Sequence, residues 1–270
     1  MPTPFMHLQV AERIRAHPTL KSNIARALDA AKPAYYLGNV AADFQTIADV
    51  PREATHFYQL PPARETVAYE RMLQENPQLA DADALPLQQA VFVAAYRAHL
   101  LLDQLWYWDV LIPYFVEASD WDADHRQRFL VHNTLLTYLD KLALESLPSD
   151  AGDTLAAASP RRWLPFAGDG DLIRWRDLLV EQLQPGASIQ TVAIYAERMR
   201  LKPAEFAANL ADPEWMQEQV FSKAPLRDIQ AVITRGMEQS VTLISDYLNK
   251  RTAGLASDVR STKSDVLETS

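Results

Sequence analysis

The stretch YRAHLLLDQLWYWDV, residues 96–110, is apolar over most of its length, yet it places His99 and Asp103 one helical turn apart. Side chains at i and i+4 project from the same face of a helix. An imidazole and a carboxylate so placed can satisfy each other, the commoner outcome of this spacing, or can reach one cation from a rigid scaffold. Each needs a partner in either case, because an unsatisfied polar group in an apolar setting is costly. Two further groups stand in short apolar or aromatic segments. Asp43 lies in LGNVAADF, after a glycine that reads as a break in chain direction, and His56 lies in THFY, within a proline-rich stretch (49–65) that reads as loop. Together, Asp43, His56, His99 and Asp103 form a set of two imidazoles and two carboxylates, which suits zinc or another divalent ion. The chain contains no cysteine, so thiolate ligands and disulfides are excluded.

The elements that must position these residues read as helices. Seven glycines in 270 residues is few, Ala and Leu are abundant, and no sustained β-type alternation appears. Helical patterning runs over 6–16, 20–31, 64–75, 87–112, 122–147, 172–183, 188–200, 203–211, 213–221 and 225–251, with Pro113 expected to kink or end the long apolar helix. The fold class expected is all-α. The Pro-, Gly-, Ser- and Asp-rich stretch around 148–171 reads as a linker between a helical region, 1–147, and a C-terminal helical region, 172–252. Residues 253–270 are polar and unpatterned and read as a disordered tail. Trp106, one turn past Asp103, reads as core or as a pocket wall.

The formal net charge is −9, which argues against a broad electrostatic grip on nucleic acid or on an anionic membrane surface. It does not exclude a phosphate-bearing small molecule, because a bound cation can supply local positive charge. No apolar run approaches the roughly 18 residues of a transmembrane helix. The N-terminal segment lacks an apolar signal core, so a cytoplasmic protein is expected. No phosphate-binding glycine loop and no nucleophile elbow occur.

The segments MPTPFMHL, YYLGNVAADF, THFY and AYRAHLLLDQLW follow one another in an order and rough spacing that resembles the zinc-dependent phospholipase C family, which is related to single-strand-specific zinc nucleases. The resemblance covers about residues 1–145 and implies a multi-helix bundle of that type with additional C-terminal helices. It implies a metal-dependent hydrolase of phosphodiesters, acting on a small-molecule or lipid-like substrate. In that reading Asp43, His56, His99 and Asp103 hold one zinc ion, Asp103 bridges toward a second, and Asp43 serves as ligand or as general base. His7 matches the family's N-terminal histidine ligand. The sequence departs from the family pattern where Asp109 stands in place of a histidine and where Leu136, four residues after His132, stands in place of a glutamate. A second site would therefore need an altered set: Asp109, His132 and Asp140. His132 followed by Asn133 also reads as a hydrogen-bonded core pair. The departures leave room for a second reading, a metal-binding helical protein without turnover.

Overall fold

The computed structural model describes residues 1–118, 125–184 and 190–264. Among these residues the regular structure is helical throughout, with no strand. The chain is all-α. In order, it forms α1 (Pro4–Arg15), α2 (Ser22–Ala30), α3 (Lys32–Val40), a 3-10 turn (Ala41–Thr46), α4 (Arg52–His56) and α5 (Ala68–Glu75). Then follow α6 (Leu87–Trp106), a π-helical extension of it (Tyr107–Val116), α7 (His125–Ser146), α8 (Ala151–Ala156) and α9 (Asp169–Leu183). The chain ends with α10 (Gln190–Met199), α11 (Pro203–Ala211), a single turn α12 (Pro213–Trp215) that runs into a second π-helical segment (Met216–Phe221), and α13 (Leu226–Ser264).

Local chemistry accounts for how the site-bearing helices begin. Thr3 caps α1, its hydroxyl accepting from the Met6 amide, and Pro4 occupies the first turn, where a missing N–H does no harm. Pro86 precedes α6, which has no polar face over most of its length: every residue from Ala90 to Gln104 is buried. A helix apolar on all sides belongs at the centre of a bundle. α6 is packed by α3 on one side and by α13 on another, with α1 and α5 completing the sheath.

The α3–α6 contact explains Gly38. The expected break in chain direction does not occur there; Gly38 lies inside α3, and a Cβ built on it would sit 2.4 Å from the Phe92 carbonyl oxygen and 2.7 Å from the Ala95 Cβ. Its hydrogen lets two helix backbones approach. Gly38→Ala is expected to lower stability by about 1–3 kcal/mol through overpacking against backbone that cannot move aside, read as a fall in the denaturation midpoint. An unchanged midpoint would show that α3 slides without penalty.

Two other segments differ from expectation. Pro113 does not end the long helix; the helix widens to π geometry over Tyr107–Val116, a form that absorbs the missing donor. The 49–65 stretch is largely loop, as expected, and within it Arg52–His56 form one helical turn ended by Phe57 in the left-handed conformation (φ 59°). The expected linker contains α8, and Trp163 and Leu164 from it are buried in the same core that extends from Phe5 to Leu248. The Trp175 indole of α9 donates to the Val40 carbonyl at 2.7 Å, and the Tyr247 hydroxyl of α13 donates to the Leu79 carbonyl at 2.6 Å. C-terminal helices thus brace the elements that carry the site. α13 continues through the first part of the expected tail, and residues 265–270 lie outside the described residues. Among the described residues, no helix is long and apolar enough to cross a membrane.

Candidate metal centre

Four separate elements deliver side chains to one buried point beside α6. α1 contributes His7, the 3-10 turn after α3 contributes Asp43, α4 contributes His56, and α6 contributes His99 and Asp103. The Tyr96 hydroxyl of α6 donates to the Thr55 carbonyl at 2.7 Å, which ties α4 to α6 beside His56.

Ligand atoms of His7, His99 and Asp103 all lie within 4.8 Å of one another, as do those of Asp43, His56 and His99. His7 Nε2 is 3.4 Å from Asp103 Oδ1, His56 Nε2 is 3.4 Å from Asp103 Oδ2 and 3.5 Å from Asp43 Oδ1, and His99 Nε2 is 4.0 Å from Asp103 Oδ2. These separations are long for hydrogen bonds. Ligands of a tetrahedral ion with bonds of ~2.0–2.2 Å stand ~3.3–3.6 Å from each other, and three of the four distances fall in that interval. The His7 and His99 rings stack, centroids 3.8 Å apart and 13° from parallel.

Hydrogen bonding behind the rings sets their tautomers. His99 Nδ1 lies 2.8 Å from the Asn39 carbonyl oxygen, which can only accept. In the neutral ring the proton therefore sits on Nδ1 and the lone pair on Nε2. His56 Nδ1 lies 2.8 Å from the Thr55 hydroxyl, whose own proton goes to the Arg52 carbonyl at 3.1 Å. The hydroxyl is thus the acceptor, and His56 Nε2 also carries the lone pair toward the centre. The buried Nε2 atoms of His7, His56 and His99, with Asp103 Oδ1, have no hydrogen-bond partner. Buried polar atoms are nearly always satisfied. Three such nitrogens facing two carboxylates, with their outer nitrogens anchored in two cases, fit the donor set of a divalent cation.

The electrostatics agree with this arrangement. Burial would raise the Asp103 carboxyl, but the facing His56 and His7, with His99 and Arg52, hold it well below the usual range. Asp43 is likewise lowered, its burial being outweighed chiefly by His56. His56 is raised, because Asp103 and Asp43 outweigh its burial. Burial, reinforced by His7, pushes His99 down to about 3. Its ring is neutral, the form in which it can ligate.

The structure brings together five of the expected ligands, His7, Asp43, His56, His99 and Asp103, and leaves Asp109, His132 and Asp140 outside. Asp109 does not join the cluster: it falls in the π-helical segment, is half-buried, and pairs with Arg235 of α13 at 2.5 Å. His132 is buried apart, accepting from the Trp106 indole at 3.2 Å and packed against Phe115. It does not pair with Asn133, whose amide donates instead to the Phe129 carbonyl. Trp106 is core, as one of the two readings had it. Asp140 is buried and accepts from the Thr3 hydroxyl.

Sequence reasoning missed Arg52. Its Nη2 lies 2.7 Å from Asp103 Oδ2 and 3.1 Å from the Tyr58 hydroxyl, and its guanidinium lies over the Tyr58 ring, 5.0 Å from the centroid. The available signal was its position four residues before His56, which puts both on one face once Arg52–His56 is helical. The left-handed Phe57 then turns Tyr58 back beneath the arginine. Comparison with protein-family models, with curated proteins and with solved structures gives no match.

Proposed function

We propose that the protein is a divalent-metal hydrolase of phosphodiesters, similar to the zinc-dependent phospholipase C family, with zinc as its metal. The observation that carries this reading is the set of buried, unpartnered Nε2 atoms of His7, His56 and His99 around Asp103. These residues, with Asp43, would hold the ion. An ion held there supplies Lewis-acid charge for activating water and stabilising a phosphoryl oxyanion. The protein's own residues divide the remaining work. Asp43 keeps part of its side chain accessible (18%), whereas the imidazoles are sealed, so Asp43 is the carboxylate placed to take a proton at the mouth. Asn39 and Thr55 hold His99 and His56 in the ligating tautomer.

A second reading is a metal-binding helical protein without turnover. Leu136, buried, stands where the resembling family has a glutamate, and Asp109 is turned away into an ion pair.

One experiment separates the two. Chelator-stripped protein titrated with zinc is expected to take up at least one equivalent, and His99→Ala is expected to lose it. Zinc-loaded protein is expected to hydrolyse bis(p-nitrophenyl) phosphate, with Asp43→Asn lowering kcat about 10²–10⁴-fold. Zinc uptake without turnover favours the second reading, and no zinc uptake ends both.

A further inference from the structure

Among the described residues, Arg52 is the one cationic side chain paired with the ligand set. Its position is unusual for a residue that merely neutralises a carboxylate. The Nη2 edge is committed to Asp103 and Tyr58, and the ring stacking fixes the plane of the guanidinium. Its Nη1 is buried and has no partner. The side chain is about one-fifth exposed (21%) and reaches from the surface to a carboxylate that is 1% exposed. Arg52 and Asp43 are the partly exposed members of the cluster, whereas the imidazoles are sealed.

The charges around the site make the vacancy on Nη1 informative. The three imidazoles are neutral when they ligate. Asp43 and Asp103 together balance a divalent ion, which leaves the guanidinium charge uncompensated. Asp103, Tyr58 and Asp43 are the groups that act on Arg52 from the cluster. A site with one surplus positive charge selects a singly charged anion. A planar guanidinium with a free N–H edge matches the oxygens of a tetrahedral phosphoryl group.

We propose that Arg52 is the oxyanion-binding residue of this centre, its free edge taking a phosphoryl oxygen of a singly charged phosphodiester. The proposal rests on the reading of the cluster as a metal centre. Arg52 then orients the substrate and sets its charge, while Tyr58 fixes the guanidinium.

The test measures zinc content and the Kd for two probes, diethyl phosphate and inorganic phosphate, by calorimetry on zinc-loaded protein. In Arg52→Gln, Kd for diethyl phosphate is expected to rise roughly tenfold or more, as for a lost charge-assisted hydrogen bond, with zinc stoichiometry unchanged. Arg52→Lys is expected to fall between the two, keeping charge but not the fork. An effect on diethyl phosphate supports the proposal in full. An effect confined to inorganic phosphate overturns the diester and keeps only an oxyanion role. Kd values within twofold of wild type for both probes overturn it, as does loss of zinc in Arg52→Lys, which would make the guanidinium a support for Asp103. Failure of the wild-type chain to take up zinc overturns the metal reading itself and the charge balance with it.

Discussion

Asp103→Asn is expected to destabilise the metal-free protein by about 3–5 kcal/mol, the range for breaking a buried charge pair by removing one partner. The substitution keeps the shape of the side chain and removes its charge. Arg52 then loses its 2.7 Å partner, and the carboxylate that faces His7, His56 and His99 is gone. The value should lie toward the lower end, because Arg52 retains some contact with water. The same change should reduce zinc affinity by more than the ~10–100-fold typical of substitutions behind the ligands. Stabilisation by zinc, about 2.7 kcal/mol at a concentration of 100 Kd, should disappear. Urea denaturation with chelator and with zinc measures both effects. An Asn variant as stable as wild type and still stabilised by zinc would remove Asp103 from the centre of the site.

The metal-free protein is also expected to lose stability steeply as pH falls below 6.5. His99 is held down to about 3 by burial and by His7, and His132 is held well below its ordinary value by burial. Below pH 6.5 the unfolded chain binds a proton at each of these positions and the folded chain does not. Stability therefore falls with falling pH, by about 1.4 kcal/mol per unit for each histidine. His56 has the opposite sign, since its raised value contributes stability that is fully present below 6.5 and lost only as pH rises through its folded value. Asp43 and Asp103, both lowered, contribute fully above the carboxylate range near 4 and begin to lose that contribution only below it. Between pH 6.5 and about 4 His99 thus sets a slope of about 1.4 kcal/mol per unit, and His132 adds to it with the same sign. Denaturation at pH 6.5, 5.5 and 4.5 in chelator measures it, and His132→Gln should lower the slope. A flat profile would mean that the buried rings take up protons at ordinary pH.

Much of this site was legible in the sequence because its information is local. His99 and Asp103 declare themselves by a one-turn spacing on a long apolar helix, and that spacing survives folding unchanged. Asp43 and His56 stood out as polar groups in apolar segments, but their convergence on α6 is tertiary, and only the resemblance supplied it. The helical class followed from composition and periodicity. Other features had no local signature. Gly38 reads as a chain break in one dimension and turns out to be a point of backbone contact, since only the neighbouring Phe92 and Ala95 reveal why a Cβ is excluded. Asp109 was named because it stands where the resembling family has a histidine, whereas Tyr107–Val116 has π geometry and the side chain pairs with Arg235. Arg52 was hidden because a helix of one turn, beginning at a proline, produces too little periodicity to be told from loop.

The packing of α6 between α3 and α13 has a consequence for the order of events during synthesis. α6 is covered along this side only when α13 has docked across it, and a Cβ built on Gly236 of α13 would stand 2.8 Å from Leu102 Cδ1. His99 and Asp103 are therefore synthesised well before the helix that packs on α6 from the C-terminal part of the chain. On the proposed metal reading, a nascent chain stalled after Asp103 would carry the ligand residues in its sequence without the α13 packing that holds α6 in place, and uptake of the ion would follow that docking.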